Sequence, residues 1–475
     1  MRSELQMTNV KKIFLISWIV VICCFIGDLY ANTDDFGKPL RGVPLGQNVI
    51  LRPAQDDISP NVKVPGVQDR LCQWTFNVAI SQAKAISRTR DVAVSIKYPA
   101  SHIQNPVVPG AERLEMYLKL LEGKSVGLTI NQSSMVQGRH LVDVLLENKV
   151  DIERIYAPEH GFRGTADAGA KIEDQKDSKT GLSVLSLYGK KRKPSQEDLA
   201  GVDIMIFDIQ DVGVRFYTFI STMHLMMEAC AEAGIPMIVL DRPNPNGYYV
   251  DGPLRESEYK SFIGMHPIPV VYGMTIGELA TMINGEGWLE NGVQCDLTVI
   301  ACENYDHTMT YDLPVAPSPN LPNLRSILLY PSLCFFEGTN VSIGRGTANQ
   351  FQVIGHPDFA PGGYTFTPEP MPGAMKPKYD GVTLHGTNLS TLTTDEILEW
   401  RSINLSWLIQ YYTYLSDKGA FFLENLFFDR LAGTAKLREQ ILAGWSEEEI
   451  RGSWEKDVKG FKAKRKLYLL YQDFE

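Results

Sequence analysis

The chain has 475 residues, 44% of them hydrophobic and 21% charged, which is enough length and apolar surface for two or three packed domains and excludes a disordered protein. A formal net charge of -10 excludes nucleic acid as an expected partner, because phosphate neutralisation needs a basic face. The compact basic run at 190–193 lies between Gly189 and Pro194 and reads as a solvated loop.

At the N-terminus, Lys11 and Lys12 precede an uncharged run at 13–27, and Leu29-Tyr30-Ala31 offers a small-residue cleavage site. This predicts a secretory signal peptide over 1–31 and export to a bacterial periplasm or the extracellular space. Cys23 and Cys24 lie within the apolar run, but the residues before them suit a lipoprotein cleavage site poorly. No later run reaches the length of a bilayer-spanning helix, so no integral membrane span is expected after cleavage. Five cysteines would remain (Cys72, Cys230, Cys295, Cys302 and Cys334), an odd and sparse set that implies no disulfide framework. Residues 32–105 carry scattered Pro, Gly and Asp with weak periodicity and read as an extension without an assigned role.

From residue 111 the pattern sharpens. A helix is predicted over 111–121, a strand over 126–130 ending at Asn131, a helix over 140–148 and a strand over 152–157 that runs into Pro158-Glu159-His160-Gly161-Phe162-Arg163. Strands follow at 182–187, 202–208 and 237–240, with helices at 196–199 and 222–233. Strands alternating with helices predict βαβ units and a parallel, Rossmann-like sheet. Asn131, Glu159, Asp208 with Asp211, and Asp241 with Asn244 then fall at successive carboxyl ends of strands, where open α/β sheets bind ligands. No Gly-x-Gly-x-x-Gly fingerprint follows any strand, so no nucleotide cofactor is expected.

Beyond about residue 250 the alternation breaks down. Thr275 and Glu278 predict a capping box opening a helix over 275–284, residues 295–300 a strand, and residues 314–331 an irregular proline-rich stretch. The run at 335–347, dense in glycine and polar groups, reads as a loop near a ligand and carries Glu337, Asn340 and Arg345. Residues 392–471 read as helices, whose aromatic side chains (Trp407, Tyr411, Tyr412, Tyr414, Phe421, Phe422, Phe427, Phe428) are expected to pack in a core.

Glu159 is the first candidate acid; the alternative is that it pairs with Arg163 and shapes its loop. Asp208 and Asp211 read equally as a base, as sugar-hydroxyl acceptors or as partners of Arg215, and Asp241 and Asn244 as a rigid turn or as hydrogen-bonding groups for a substrate. Glu337, brought over the sheet edge, would complete a carboxyl pair of the kind that glycosidic cleavage uses. No nucleophile elbow, His-Glu-x-x-His or Walker loop occurs, and His160, His224, His266 and His356 are too scattered to predict a metal site.

Taken together, Pro158-Glu159-His160-Gly161, the run from Asp208 to Arg215, Asp241-Arg242-Pro243-Asn244-Pro245, Met274-Thr275-Ile276-Gly277-Glu278-Leu279-Ala280, Pro317-Ser318-Pro319-Asn320 and Phe336-Glu337-Gly338-Thr339-Asn340 resemble the exo-β-N-acetylmuramidase family of glycoside hydrolases, over residues 108–471. The resemblance implies a Rossmann-like domain (106–250), a smaller C-terminal α/β domain (251–475) and an active site in the cleft between them. It implies release of terminal N-acetylmuramic acid from the non-reducing end of peptidoglycan-derived saccharides, without metal or organic cofactor. By this resemblance the family's catalytic glutamate falls on Glu159, and its cleft-lining motifs on His160, Arg163, Asp208, Asp211, Arg215, Asp241, Asn244 and Glu337. The lactyl carboxylate of muramic acid would need Arg163, Arg215 or Arg345. Gln350 stands where the family tends to have proline, and residues 32–105 have no counterpart. Two other readings stay open: a hexosaminidase for another amino sugar, and a non-catalytic protein that binds cell-wall sugars.

Overall fold

The computed structural model describes residues 106–159, 161–162, 175–189 and 191–475, so the leader, the extension to residue 105, His160 and Arg163 lie outside the described residues. The main sheet consists of β1 (Ser125–Ile130), β4 (Asp151–Ala157), β5 (Gln175–Lys176), β6 (Ser183–Ser186), β7 (Ile204–Asp208), β8 (Met237–Leu240) and β9 (Leu297–Ile300), in the order β5-β6-β4-β1-β7-β8-β9. All ladders are parallel except that between β5 and β6. A small hairpin, β2 (Met135–Val136) and β3 (Arg139–His140), follows β1.

The apolar runs become central strands because both faces are covered. In β7, Met205 and Phe207 enter one core and Ile204 and Ile206 the other; in β8, Met237 and Val239 part from Ile238 and Leu240 in the same way. The second core holds the segment before β1, where the helix predicted over 111–121 is broken. Only α1 (Leu114–Tyr117) is α-helical, between 3-10 turns at Gly110–Glu112 and Leu118–Leu121. That core also holds α2 (Leu141–Glu147); the first takes α3 (Phe219–Ala233) and α4 (Ile276–Gly285). Helix α4 opens on the predicted capping box of Thr275 and Glu278. The helix predicted at 196–199 is a turn, in which Asp198 accepts hydrogen bonds from the Ser195 N–H and hydroxyl and from Lys191. Nor is the basic run merely solvated: Lys193 reaches Glu228 and Glu232 on α3, and Arg192 lies over the Phe262 ring.

Since β9 closes the sheet, the sheet continues past residue 250, where the sequence placed a boundary. The stretch predicted to be irregular contains α5 (Leu324–Leu333), which starts on reciprocal hydrogen bonds between Asn323 and Ser326 and carries Pro331 in its last turn. A three-stranded antiparallel sheet, β10 (Val353–His356), β12 (Leu384–Asn388) and β11 (Tyr364–Phe366), follows without having been predicted. The C-terminal helices are α6 (Thr394–Trp400), α7 (Ser406–Leu415), α8 (Phe427–Ala432), α9 (Lys436–Leu442) and α10 (Glu447–Arg465). Tyr411 of α7 stacks on Phe359 at 3.9 Å and packs edge-on against Phe336, as expected of a core aromatic.

Arg215 joins these parts. Fully buried and without a carboxylate, its guanidinium donates to the carbonyls of Pro253 (2.8 Å), Ile268 (2.7 Å), Leu431 (2.9 Å) and Ala432 (2.6 Å). Burial pushes its pKa down to about 9, with Arg255 adding to the effect. The last two carbonyls end α8, where a cation also meets the negative end of the helix dipole. The chain turns away at Gly433 (φ +74°), where a Cβ would lie 2.7 Å from the Arg215 Nη2. The structure thus corrects the expectation that Arg215 contacts substrate: it is a structural cation. Arg215→Met leaves four buried carbonyls without their donor and is expected to cost about 3 kcal/mol or more in denaturant unfolding. A midpoint equal to that of the unsubstituted chain contradicts this role.

Candidate active site

Glu159 lies two residues beyond β4, whose last residue is Ala157, in a turn closed by the Gly161 N–H on the Pro158 carbonyl (3.0 Å). Gly161 takes φ +75°, a conformation that glycine adopts freely. Phe162 then packs edge-on against His140 (4.9 Å). His140 caps α2 through Nδ1, which accepts from the Val142 N–H, so Nε2 carries the proton and donates to the Asn131 carbonyl (3.0 Å). An apolar strand thus delivers a half-buried carboxyl onto an anchored loop.

Glu159 lines a cavity of 220 Å³ together with Thr218, Asn320, Glu337 and Arg345. The Thr218 hydroxyl donates to Glu159 Oε2 (3.2 Å). Thr218 occupies the N-cap position of α3 but makes no side-chain cap there, so its hydroxyl serves the glutamate instead. Aromatic rings in mutual edge contact form much of the wall: Phe216 with Tyr330 (5.2 Å), Tyr217 with Tyr330 (6.0 Å) and Tyr330 with Phe351 (4.9 Å). Phe427 also reaches the cavity, where the sequence had placed it in a core. The Tyr217 hydroxyl donates to the Pro317 carbonyl (2.8 Å), and Gln132, just beyond β1, donates to the same carbonyl (3.0 Å). Burial and the neighbouring carboxylates of Asp211 and Glu159 push the Tyr217 pKa well up, so it stays a neutral donor.

On the other wall, Arg345 pairs with Glu337 at 2.9 Å, and this partner raises its pKa. Lys378 holds the segment that carries Glu337: its ammonium donates to the carbonyls of Phe336 (3.4 Å), Thr339 (2.5 Å) and Val341 (3.0 Å). Burial pushes its pKa down to about 8, Glu337 pulls it up and Arg345 lowers it. Cys334 also lines the cavity, but burial and Glu337 drive its pKa well up and keep it a thiol.

The other candidates are drawn into the scaffold. Asp208 is fully buried and bound by both oxygens to Arg242 (2.6 and 2.8 Å), and the Ser134 hydroxyl donates to its carbonyl. Asp211 accepts from the Gly213 N–H (2.7 Å) and from the Tyr272 hydroxyl, and burial pushes its pKa up to about 6. Asp241 accepts from Thr275 (2.7 Å), the Gly277 N–H (2.8 Å) and Tyr471 (2.5 Å), at the start of α4; burial raises its pKa to about 6. Asn244 ties its loop to Met274 (2.8 Å) and to the Asn246 N–H (2.8 Å), so closely that a Cβ on Gly213 would lie 2.2 Å from its oxygen. Asn131 turns its oxygen back on Ser133. Asn340 contributes backbone bonds to Phe421 and Tyr379 and does not line the cavity. The structure therefore brings together Glu159, Glu337 and Arg345, and corrects the placement of Asp208, Asp211, Asp241, Asn244, Asn131 and Asn340 as cavity groups. Sequence reasoning assigned no role to Thr218, Asn320 or Lys378; Thr218 ends the polar run that begins at Asp208, Asn320 lies in Pro317-Ser318-Pro319-Asn320, and Lys378 had no signal.

Among the described residues no group of three or more side chains is arranged to hold a metal ion, although His224 and His266 meet at 3.1 Å in the core. The four described cysteines are free and buried, and no described helix is long and apolar enough to cross a membrane.

The class so defined is a two-part α/β protein with an acid-bearing cavity beyond the carboxyl edge of a parallel sheet. Residues 126–325 match the family model described as exo-beta-N-acetylmuramidase NamZ, N-terminal, and residues 328–471 its C-terminal counterpart. The chain belongs to this family. It is 41% identical over 374 residues to the peptidoglycan beta-N-acetylmuramidase NamZ of Bacillus subtilis (strain 168), covering 75% of this chain and 89% of that protein. Two crystal structures of DUF1343 family proteins from Bacteroides fragilis NCTC 9343 share the fold. One is 49% identical with a TM-score of 0.72, covering 78% of this chain and 99% of its own; the other is 31% identical with a TM-score of 0.65, covering 77% and 99%.

Lys378 has a signature in stability. Its pKa of about 8 lies below the ordinary lysine value of 10.5, so the folded chain loses this proton before the unfolded one does. Between these values the unfolded state binds more protons, and this lysine's contribution to stability rises with pH. Relative to Lys378→Met, the unsubstituted chain is expected to gain unfolding free energy from about pH 8 to pH 10.5 and to show no such trend below pH 7. Parallel pH curves for the two chains contradict the assignment.

Proposed function

We propose that this chain is an exo-acting glycoside hydrolase that releases terminal β-N-acetylmuramic acid from the non-reducing ends of peptidoglycan fragments. The observation that carries it is the meeting of Glu159, Glu337 and Arg345 around one 220 Å³ cavity, in a chain 41% identical to a peptidoglycan β-N-acetylmuramidase. Glu159, oriented by Thr218, protonates the leaving glycosidic oxygen. Glu337 sets negative charge beside the oxocarbenium-like transition state, and the substrate's own acetamido oxygen is the other group able to take the second catalytic part. Arg345 with Lys378 outweighs Glu337 by one positive charge, which suits this wall to the lactyl carboxylate. Of the three arginines weighed from sequence, Arg215 is spent on carbonyls and Arg345 lines the cavity. Aromatic edges and faces supply the apolar contact for a pyranose ring.

Residues 11–31, with their lysines, uncharged run and Ala31, support export, and a peptidoglycan substrate fits an envelope location and cell-wall turnover.

Glu159→Gln is expected to lower kcat on an N-acetylmuramyl disaccharide by about 10²- to 10⁴-fold while retaining binding of N-acetylmuramic acid. The loss should shrink on an aryl glycoside, whose leaving group needs little protonation. Undiminished disaccharide turnover removes Glu159 from the acid role, and binding without any turnover in the unsubstituted chain favours a sugar-binding protein. Arg345→Gln is expected to lower kcat/KM about 10- to 100-fold for the N-acetylmuramide and far less for the corresponding N-acetylglucosaminide, which lacks the lactyl group. Equal losses on both glycosides contradict the anchor.

A further inference from the structure

Asn320 sits in a tight turn on the cavity wall. The Leu321 N–H bonds to the Ser318 carbonyl (3.0 Å), and the Asn320 N–H is held by the Ser318 hydroxyl (3.2 Å). The residue is 5% exposed, and its side-chain Nδ2 donates to the Gly373 carbonyl at 2.9 Å. That bond fixes the amide: turning it over would set Oδ1 against a carbonyl oxygen, two acceptors with no proton between them. Gly373 itself has φ +86° and presses so closely on Pro319 that a Cβ there would lie 2.6 Å from the proline ring, which keeps this carbonyl in place. Oδ1 is left buried with no hydrogen-bond partner. Several other buried polar atoms among the described residues also lack partners, but of the residues that bear them only Asn320 lines the cavity that holds Glu159 and Glu337.

A buried acceptor without a donor is costly unless a ligand brings one. The neighbouring polar groups are already engaged: Tyr217 on Pro317, Thr218 on Glu159, and Glu337 with Arg345. A sugar hydroxyl both donates and accepts, so either end of a side-chain amide serves it. An acetamido N–H donates only, and an acceptor that cannot turn over is its match. We propose that the Asn320 side-chain carbonyl accepts the N–H of the substrate's 2-acetamido group, which makes Asn320 a specificity-determining residue of this cavity. The inference rests on the amino-sugar reading above and adds the group that reads the amino function.

The test is a cycle of two enzymes and two ligands. Inhibition constants are measured for N-acetylmuramic acid and for its 2-acetoxy analogue, in which an ester oxygen replaces the N–H, against the unsubstituted chain and Asn320→Leu. The unsubstituted chain is expected to prefer the acetamido sugar by about 10- to 100-fold, because the analogue leaves Oδ1 unpaired, and Asn320→Leu should reduce that preference to about threefold or less. Shape differences between the two ligands act on both enzymes and cancel in the ratio. Asn320→Ala removes the same acceptor with a smaller side chain and is likewise expected to reduce the preference to about threefold or less. This second variant reads the same quantity if Asn320→Leu does not fold. An undiminished preference in a folded Asn320→Leu or Asn320→Ala overturns the assignment while hydrolysis of N-acetylmuramides by the unsubstituted chain leaves the proposed function standing. If the unsubstituted chain neither binds nor hydrolyses N-acetylmuramides, the functional reading fails first and takes this inference with it.

Discussion

The bidentate pair between Asp208 and Arg242 decides where a ligand can sit. The order β5-β6-β4-β1-β7-β8-β9 reverses direction between β1 and β7, and open α/β sheets normally bind ligands at the carboxyl ends of such a pair. Here that crevice is filled from within. Arg242, two residues beyond β8, reaches back to Asp208 at the end of β7, while Ser133 and Ser134, just beyond β1, bond to the Gln210 N–H and the Asp208 carbonyl. A buried ion pair of this kind is tolerated only with its hydrogen bonds complete, and groups from the ends of three strands complete them here. The cavity is accordingly displaced to the loop after β4 and to the long connection beyond β7.

That displacement makes the second half of the chain part of the site. Glu159 comes from a strand end, but Asn320, Glu337 and Arg345 come from beyond β9, and their positions depend on ties that cross between the halves. Gln132 and Tyr217 hold the Pro317 carbonyl from the sheet side, and Arg215 holds the end of α8. These are hydrogen bonds to backbone carbonyls, so they set the course of the chain and leave the cavity side chains to the ligand. Asp251 does similar work farther out, accepting from the Ile403 N–H, Arg451 and the Trp454 indole.

The sheet was legible in the sequence because its signal is local: a buried strand is an apolar run, and the capping box from Thr275 to Glu278 spans only four residues. Glu159 was legible for the same reason, as a carboxyl directly after such a run. The roles of Asp208 and Asp241 were not, because a carboxyl's fate depends on what it meets. Asp208 meets Arg242 and Asp241 meets Thr275, each 34 residues away along the chain, and Tyr471 closes on Asp241 from a distance of 230 residues. Helix α5 was hidden by the prolines around it, although Asn323 and Ser326 mark its start. Lys378 lies in a stretch without periodicity, and its meaning appears only when three carbonyls converge on it.

The two cavity carboxyls are kept differently, which accords with the division of work proposed for them. Glu159 is met by a neutral hydroxyl from Thr218, a partner that orients a carboxyl in either protonation state. Glu337 is met by the Arg345 guanidinium, and the Lys378 ammonium holds the segment that carries it. A group that must give up a proton and take it back needs the first kind of neighbour, whereas a group that must stay negative beside a developing cation needs the second. Asp208, gripped at both oxygens by Arg242 and fully buried, is committed to the scaffold instead.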